Sequence, residues 1–203
     1  SVFAQWARAY VLMRQGEHYA ALRHYDLAHL LADNNPEMHR EYLLALQRAG
    51  LSAVALQRKD DLGLLGRDAL RSLQADHVAE QVMLSTTASR QLNERHVLAD
   101  RALLQADRLL AAWSDEPAAQ ADSDRVRIDR LGALHTLQLM SRLKADAEQL
   151  IAEGITLPAY ARRWYASALL QLRQPAQAAQ LYQTLVAETH SRDDTWLSDH
   201  LSL

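Results

Sequence analysis

Apolar residues recur along this chain at steps of three and four. Ala99, Leu103, Ala106, Leu110 and Trp113 fall on one face of an α-helix when the chain turns 3.6 residues per revolution. This stripe predicts a helix over 93–114, stopped by Asp115-Glu116-Pro117. Comparable stripes fill the rest of the chain, separated by brief punctuation. Gly16, Asp33-Asn34-Asn35-Pro36, Gly50 and Gly154-Ile155-Thr156-Leu157-Pro158 read as helix ends, and Gln174-Pro175 places a proline at a tolerated first-turn position. The stretch 118–123, polar and rich in alanine, reads as a loop or an exposed helical turn. Residues 62–73, with Gly63 and Gly66, fit the pattern least.

The stripes also repeat. Gly16 and Gly50 lie 34 residues apart, as do Leu12 and Leu46, Ala21 and Ala55, and Lys144 and Ala178. Thirty-four residues is the period of the tetratricopeptide repeat (TPR), an antiparallel helix pair that buries its apolar face only by stacking on neighbours. In such a pair a small residue early in the second helix lets the helices approach, and a larger one a turn later fills the space toward the next repeat. Ala21, Tyr25 and Ala28 follow this scheme, as do Ala178, Tyr182 and Leu185. The second unit repeats it through Tyr42, Leu46, Gly50 and Ala55, with its second helix expected to break at Asp60-Asp61. A unit around Leu131-Gly132-Ala133 fits in its first helix only, because Lys144 stands where a small residue is wanted.

The expected fold is therefore all-α, a right-handed α-solenoid of TPR and TPR-like helix pairs in a single superhelical domain over 1–203. The units read as 2–35, 36–61, irregular helices over 62–114, then 124–153 and 159–190, with a further repeat opening over 193–203. A solenoid closes with a polar capping unit, and no such unit follows residue 203, so the expectation is a fragment of a longer protein.

Composition narrows this reading. Leu (37) and Ala (35) dominate, while Gly (6) and Pro (4) are too scarce for the turns of a β-sandwich or barrel. A net charge of −3 lacks the basic excess of a nucleic-acid-binding domain. With no cysteine there is no disulfide, thiolate metal site or cysteine nucleophile. His24, Asp26 and His29 point to different sides of a helix and do not converge on a metal. HExxH, phosphate-loop and nucleophile-elbow motifs are missing from the sequence. The chain reads as a binding protein and not an enzyme, with no cofactor implied.

Three segments say more. Glu94-Arg95-His96-Val97-Leu98-Ala99-Asp100-Arg101-Ala102-Leu103, the run RVRIDRLGAL beginning at Arg125, and Trp164-Tyr165-Ala166-Ser167-Ala168-Leu169 followed by Gln174-Pro175 and Ala178 occur in that order. Together, over 88–186, they resemble the periplasmic TPR domain of the outer-membrane porins that export poly-β-1,6-N-acetyl-D-glucosamine, a biofilm exopolysaccharide. The resemblance implies a location on the periplasmic side of the outer membrane, as part of a protein whose β-barrel is not in this chain. It also implies two partners, the partially deacetylated polymer and the periplasmic deacetylase. The rival reading is a TPR adaptor for proteins or peptides with no carbohydrate role, for which Arg14, Arg40 and Arg48 could hold a carboxylate-ended peptide.

A groove for a polymer bearing free amines needs carboxylates to pair with ammonium groups and aromatic faces to stack on sugar rings. The first helix of each TPR pair lines the concave surface, which selects candidates by register. They are Phe3, Trp6, Tyr10, Met13 and Arg14; Glu37, Arg40, Leu44, Gln47 and Arg48; Asp129 and Thr136; and Tyr160, Arg163, Ser167 and Gln171. The sharpest are Trp6, Tyr10, Glu37, Arg40, Asp129, Tyr160 and Arg163. Trp6 and Tyr10, one turn apart, suit either a sugar platform or packing against an upstream repeat. Asp129 suits groove electrostatics or an ion pair with Arg125 or Arg130. Trp164 and Tyr165 read as core, and Asp60-Asp61, Asp115-Glu116 and Asp193-Asp194 as solvated turns.

Overall fold

A computed structural model of the chain describes residues 1–31, 35–87 and 89–188. The described elements are all helical. In chain order they are α1 (Val2–Arg14), α2 (His18–Leu31), α3 (Pro36–Arg48), α4 (Ser52–Gln57), α5 (Lys59–Leu62), α6 (Arg67–Thr86) and α7 (Leu92–Ala112). A 3₁₀ turn (Pro117–Ala119) then leads into α8 (Gln120–Thr136), α9 (Met140–Ala152), α10 (Ala159–Gln171) and α11 (Pro175–Glu188). The expected opening of a repeat over 193–203, with Asp193-Asp194, and the residues Asp33-Asn34 lie outside the described residues.

Among the described residues, five helix ends share one device. After α1, α3, α8, α9 and α10 the chain passes through a left-handed residue, respectively Gly16, Gly50, Gln138, Gly154 and Arg173. The next amide reaches back to close the helix: Glu17 to the Leu12 carbonyl, Leu51 to Leu46, Leu139 to Leu134, Ile155 to Leu150 and Gln174 to Leu169, at 2.8–3.0 Å. This is the Schellman arrangement, which satisfies carbonyls the helix leaves open. Glycine marks only three of the five turns. Gln138 and Arg173 carry the same backbone with a side chain that disfavours it, which is why those two turns gave no glycine signal.

The chain divides into two compact units, Ser1–Glu80 and Gln81–Leu203, with the division point inside α6. In the first unit, Ala9, Ala21, Ala28, Met38, Leu43, Ala45 and Ala55 are fully enclosed, and Tyr25 lies buried among them. The second-helix break falls at Arg58, between α4 and α5, and not at the aspartate pair. The 62–73 stretch supplies the start of a continuous 20-residue helix, α6.

In the second unit the core is Leu131, Ala133, Leu134, Leu143, Ala147, Leu150, Ala161, Ala166, Leu169, Ala178 and Leu185. Here the register corrects the 34-residue reading. Leu143, Ala147 and Leu150 of α9 occupy the positions that Ala178, Tyr182 and Leu185 hold in α11, an offset of 35. The large and small residues have exchanged places: Leu143 stands opposite Ala178 and Ala147 opposite Tyr182. Lys144 is then no failed small position. It sits at the surface, paired with Glu148 at 3.0 Å. Trp113 ends α7 as a buried capping residue, so the helix expected over 93–114 closes just short of that bound. Residues 120–123, expected in a loop or exposed turn, form the first turn of α8.

Candidate functional site

Two patches of candidate residues form, one in each unit. In the second unit Asp129 of α8 and Tyr160 of α10 meet: the tyrosine hydroxyl donates to Oδ1 at 3.1 Å. Burial, followed by the nearby Asp129 charge, pushes the Tyr160 hydroxyl up to about 12. It therefore stays protonated and keeps donating at neutral pH. Tyr160 is 44% exposed, so one side faces solvent while the hydroxyl holds the carboxylate in place.

Trp164, one turn along α10, meets the Tyr160 ring edge-on with centroids 5.1 Å apart. Sequence reasoning assigned Trp164 to the core; it is in fact only partly buried and forms the inner wall of this patch. Its partner is Gly132. A Cβ added there would stand 2.6 Å from the Trp164 ring and 2.5 Å from Val82 Cγ1, so glycine lets the indole lie flush against α8. Tyr165, assigned to the core, is buried there, with its hydroxyl donating to Glu148 Oε1 at 3.2 Å.

Of the two arginines considered for Asp129, Arg130 is bound elsewhere. Its guanidinium bridges Asp107 on α7 at 2.8 Å and Asp146 on α9 at 2.6 Å. Arg163 is partly buried on α10 between Arg162 and Trp164, and Arg162 pairs across to Glu188 of α11 at 2.9 Å. Thr136 does not face a groove: it is buried, 3.4 Å from the Ser85 hydroxyl.

In the first unit the indole N–H of Trp6 donates to Glu41 Oε2 on α3 at 2.5 Å, and the buried Tyr25 hydroxyl reaches the same oxygen at 3.2 Å. Burial first, then Glu41, raises the Tyr25 hydroxyl well above the usual phenol range. Trp6 is thus anchored within its own unit. Phe3, Trp6, Ala7, Tyr10, Val11 and Glu41 line an open pocket of about 450 Å³, with Phe3 stacked on Trp6 at 6.3 Å. Glu41 escaped sequence reasoning because only the relative rotation of α1 and α3 brings it beneath Trp6. Glu37 and Arg40 are exposed on α3 outside this lining, and Met13 is buried.

His24, Asp26 and His29 go to separate partners: Gln5, Tyr42 and His39. Asp61 is not solvated as expected. It accepts from His39 and Arg58, while Asp60 is exposed. Among the described residues, no three His, Cys, Asp or Glu are placed to hold a metal ion, and no helix is long and apolar enough to cross a membrane.

No protein-family model matches the chain. Over 195 residues, 95% of its length, it is 32% identical to the poly-β-1,6-N-acetyl-D-glucosamine export protein of Escherichia coli K12, and equally so to that of strain O157:H7. It spans 22% of those proteins. Among solved structures it resembles a thermophilic TPR protein of Thermus thermophilus (TM-score 0.54, 15% identity, 100% of this chain and 98% of that one). It also resembles a TPR protein of Parabacteroides merdae (TM-score 0.56, 13% identity, 100% and 70%). The chain is an all-α TPR segment, related in sequence to the poly-β-1,6-N-acetyl-D-glucosamine export proteins over about a fifth of their length.

Proposed function

We propose that this chain is the periplasmic TPR domain of an outer-membrane exopolysaccharide exporter, and that it acts by binding and not by catalysis. The similarity along 95% of the chain to an export protein carries this reading. The geometry supplies the chemistry. Asp129, held by Tyr160 beside the Trp164 edge, offers a fixed carboxylate next to an exposed aromatic ring. That pairing matches a glucosamine unit, whose ammonium seeks the carboxylate and whose ring face stacks on the tyrosine. Arg163 borders the patch. In the first unit the open Phe3–Trp6–Tyr10 pocket is mostly apolar and suits a side chain of the polysaccharide deacetylase, with Glu37 and Arg40 as polar contacts on α3.

The test is a titration of the chain with glucosamine oligomers of graded acetylation at two salt concentrations, following amide shifts. Affinity is expected to rise with deacetylation, to weaken with salt, and to fall on the order of five- to tenfold in Asp129→Asn. Equal affinity for fully acetylated and deacetylated oligomers, or none at millimolar concentration, removes the polymer-binding reading. Binding of the deacetylase that is lost in Tyr10→Ser would then identify the chain as a protein-docking surface.

A further inference from the structure

The second-helix break at Arg58 departs from the TPR pattern, and it faces an unusual cluster. The contacts run in one line. Arg58 Nη2 lies 3.2 Å from His29 Nε2, His29 Nδ1 lies 3.1 Å from His39 Nε2, and His39 Nδ1 lies 2.8 Å from Asp61 Oδ1. Arg58 Nε closes the loop onto Asp61 Oδ2 at 2.7 Å.

The two ends of this line fix every proton in it. A guanidinium can only donate and an ionised carboxylate can only accept. His29 must therefore accept at Nε2, which puts its proton on Nδ1. His39 must accept that proton's hydrogen bond at Nε2, and so carries its own proton on Nδ1 toward Asp61. With neutral imidazoles, this order of donors and acceptors makes both rings Nδ1–H tautomers.

We propose that this relay is an acid-sensitive clasp joining α2, α3 and the α4–α5 break, which holds while both imidazoles are neutral and loosens when they take up protons. A first proton goes to His39 Nε2, where Asp61 supports the charge. His29 must then turn acceptor at Nδ1, moving its own proton to Nε2, where it meets Arg58 donor to donor. Arg58 is displaced. A second proton leaves two imidazolium ions edge to face, with His29 Nδ1–H and His39 Nε2–H as opposed donors 3.1 Å apart, and α2 parts from α3.

The surroundings add two groups besides Arg58 and Asp61. From α2 comes Asp26, which accepts from Tyr42; from α3 comes Tyr42, whose ring lies 6.4 Å from His29 and beneath the Arg58 guanidinium. Burial and the Asp26 hydrogen bond raise the Tyr42 hydroxyl to about 12, so it stays neutral. At Asp61 burial pushes the carboxyl up, but the hydrogen bonds from His39 and Arg58 outweigh it and hold the carboxyl below its usual range, so it is ionised throughout the histidine titration. Each protonation turns an accepting ring nitrogen into a donor that faces another donor, so the contacts joining α2, α3 and the α4–α5 break open in acid.

The experiment uses the whole 203-residue chain. Long-range ¹⁵N–¹H spectra of the histidine side chains near neutral pH are expected to show Nδ1–H tautomers for His29 and His39. Hydrogen exchange, corrected for the intrinsic pH effect, is expected to show protection across 55–62 falling on the order of tenfold between about pH 7.5 and 5.5. The variant H29Q/H39Q keeps the relay, since each amide oxygen accepts and each amide nitrogen donates, but it cannot be protonated; its protection is expected to stay flat. If that variant folds poorly, H39Q alone serves, with its circular dichroism at neutral pH as the control and an acid response smaller than that of the unaltered chain as the expected result, since only His29 can still be protonated. Nε2–H tautomers at neutral pH, or the same acid response in the glutamine variant, would overturn the proposal.

Discussion

The two units build the same helix pairs from different side-chain chemistry. The first, Ser1–Glu80, joins its helices through histidines and aromatics: Trp6 and Tyr25 on Glu41, Tyr42 on Asp26, and the His29–His39 relay. The second, Gln81–Leu203, shares the tyrosine–carboxylate links, Tyr160 on Asp129 and Tyr165 on Glu148, but adds arginine–carboxylate pairs where the first has histidines. Arg130 grips Asp107 and Asp146, Arg127 grips Glu153 at 2.6 Å, and Arg162 grips Glu188. Arginine and carboxylate hold their charges across the neutral range, whereas histidine does not. Helix packing alone therefore does not set how a TPR unit responds to its surroundings; the polar layer over the core does.

The largest effect should come from the core of the second unit. Leu143→Ala is expected to cost about 2–5 kcal/mol, because the side chain is fully enclosed. Lys144→Ala should stay within about 0.5 kcal/mol. Denaturant melts of both variants test the 35-residue register, since a 34-residue register reverses the order. Gly132→Ala comes next, at about 1–3 kcal/mol, because its methyl group overlaps Val82 and Trp164. A shift in tryptophan emission would report the displaced indole, and a neutral outcome would show that the Trp164 seat is loose.

Smaller effects belong to the turns. Arg173→Gly and Gln138→Gly should each stabilise the second unit by about 0.5–1 kcal/mol, whereas Gly16→Ala should destabilise the first by about 1 kcal/mol. Thermal melts of the three variants check the opposing signs.

The smallest effect separates the two polar layers by pH. Hydrogen bonds from Arg127 and Arg162 lower the carboxyls of Glu153 and Glu188 below the usual range. A carboxyl lowered on folding contributes stability above its unfolded value and loses it as pH falls through the folded one. The contribution of these exposed groups should thus persist through about pH 5 and fade only below about 4, and salt should screen it. Exchange measured unit by unit should show the first unit responding in the histidine range and the second only in the carboxylate range. A common midpoint for both would collapse the contrast.

Much of the fold was legible in the chain. Stripes at three and four residues, few glycines and prolines, and small–large pairs such as Ala21 with Tyr25 specify helix pairs, because a helix must bury one face wherever it lies. Glycine marked three of the left-handed turns and Gln174-Pro175 the one at Arg173. Gln138 hid the remaining turn, and with it the added residue that moved the register from Lys144 to Leu143.

The sites divide in the same way. Sequence register placed Asp129 and Tyr160 on the concave surface of separate units and offered Arg125 or Arg130 as an ion-pair partner for Asp129; in the structure the Tyr160 hydroxyl meets Asp129. It also placed Met13 and Thr136 on the same surface, and they are buried. Register states which stripe a residue shares, while helix rotation, set by how core side chains interlock, decides whether that stripe lies open or closed.

By itself, then, the sequence determined the helices, most of their ends and the kinship to an export protein, all of which rest on neighbours within a few turns of chain or on identity along it. Tertiary structure alone decided that Glu41 sits under Trp6, that Gly132 seats Trp164, and that Arg58 and Asp61 bracket a histidine pair. Each of those contacts joins residues distant in sequence, and its geometry depends on ångström-scale helix offsets that periodicity does not encode.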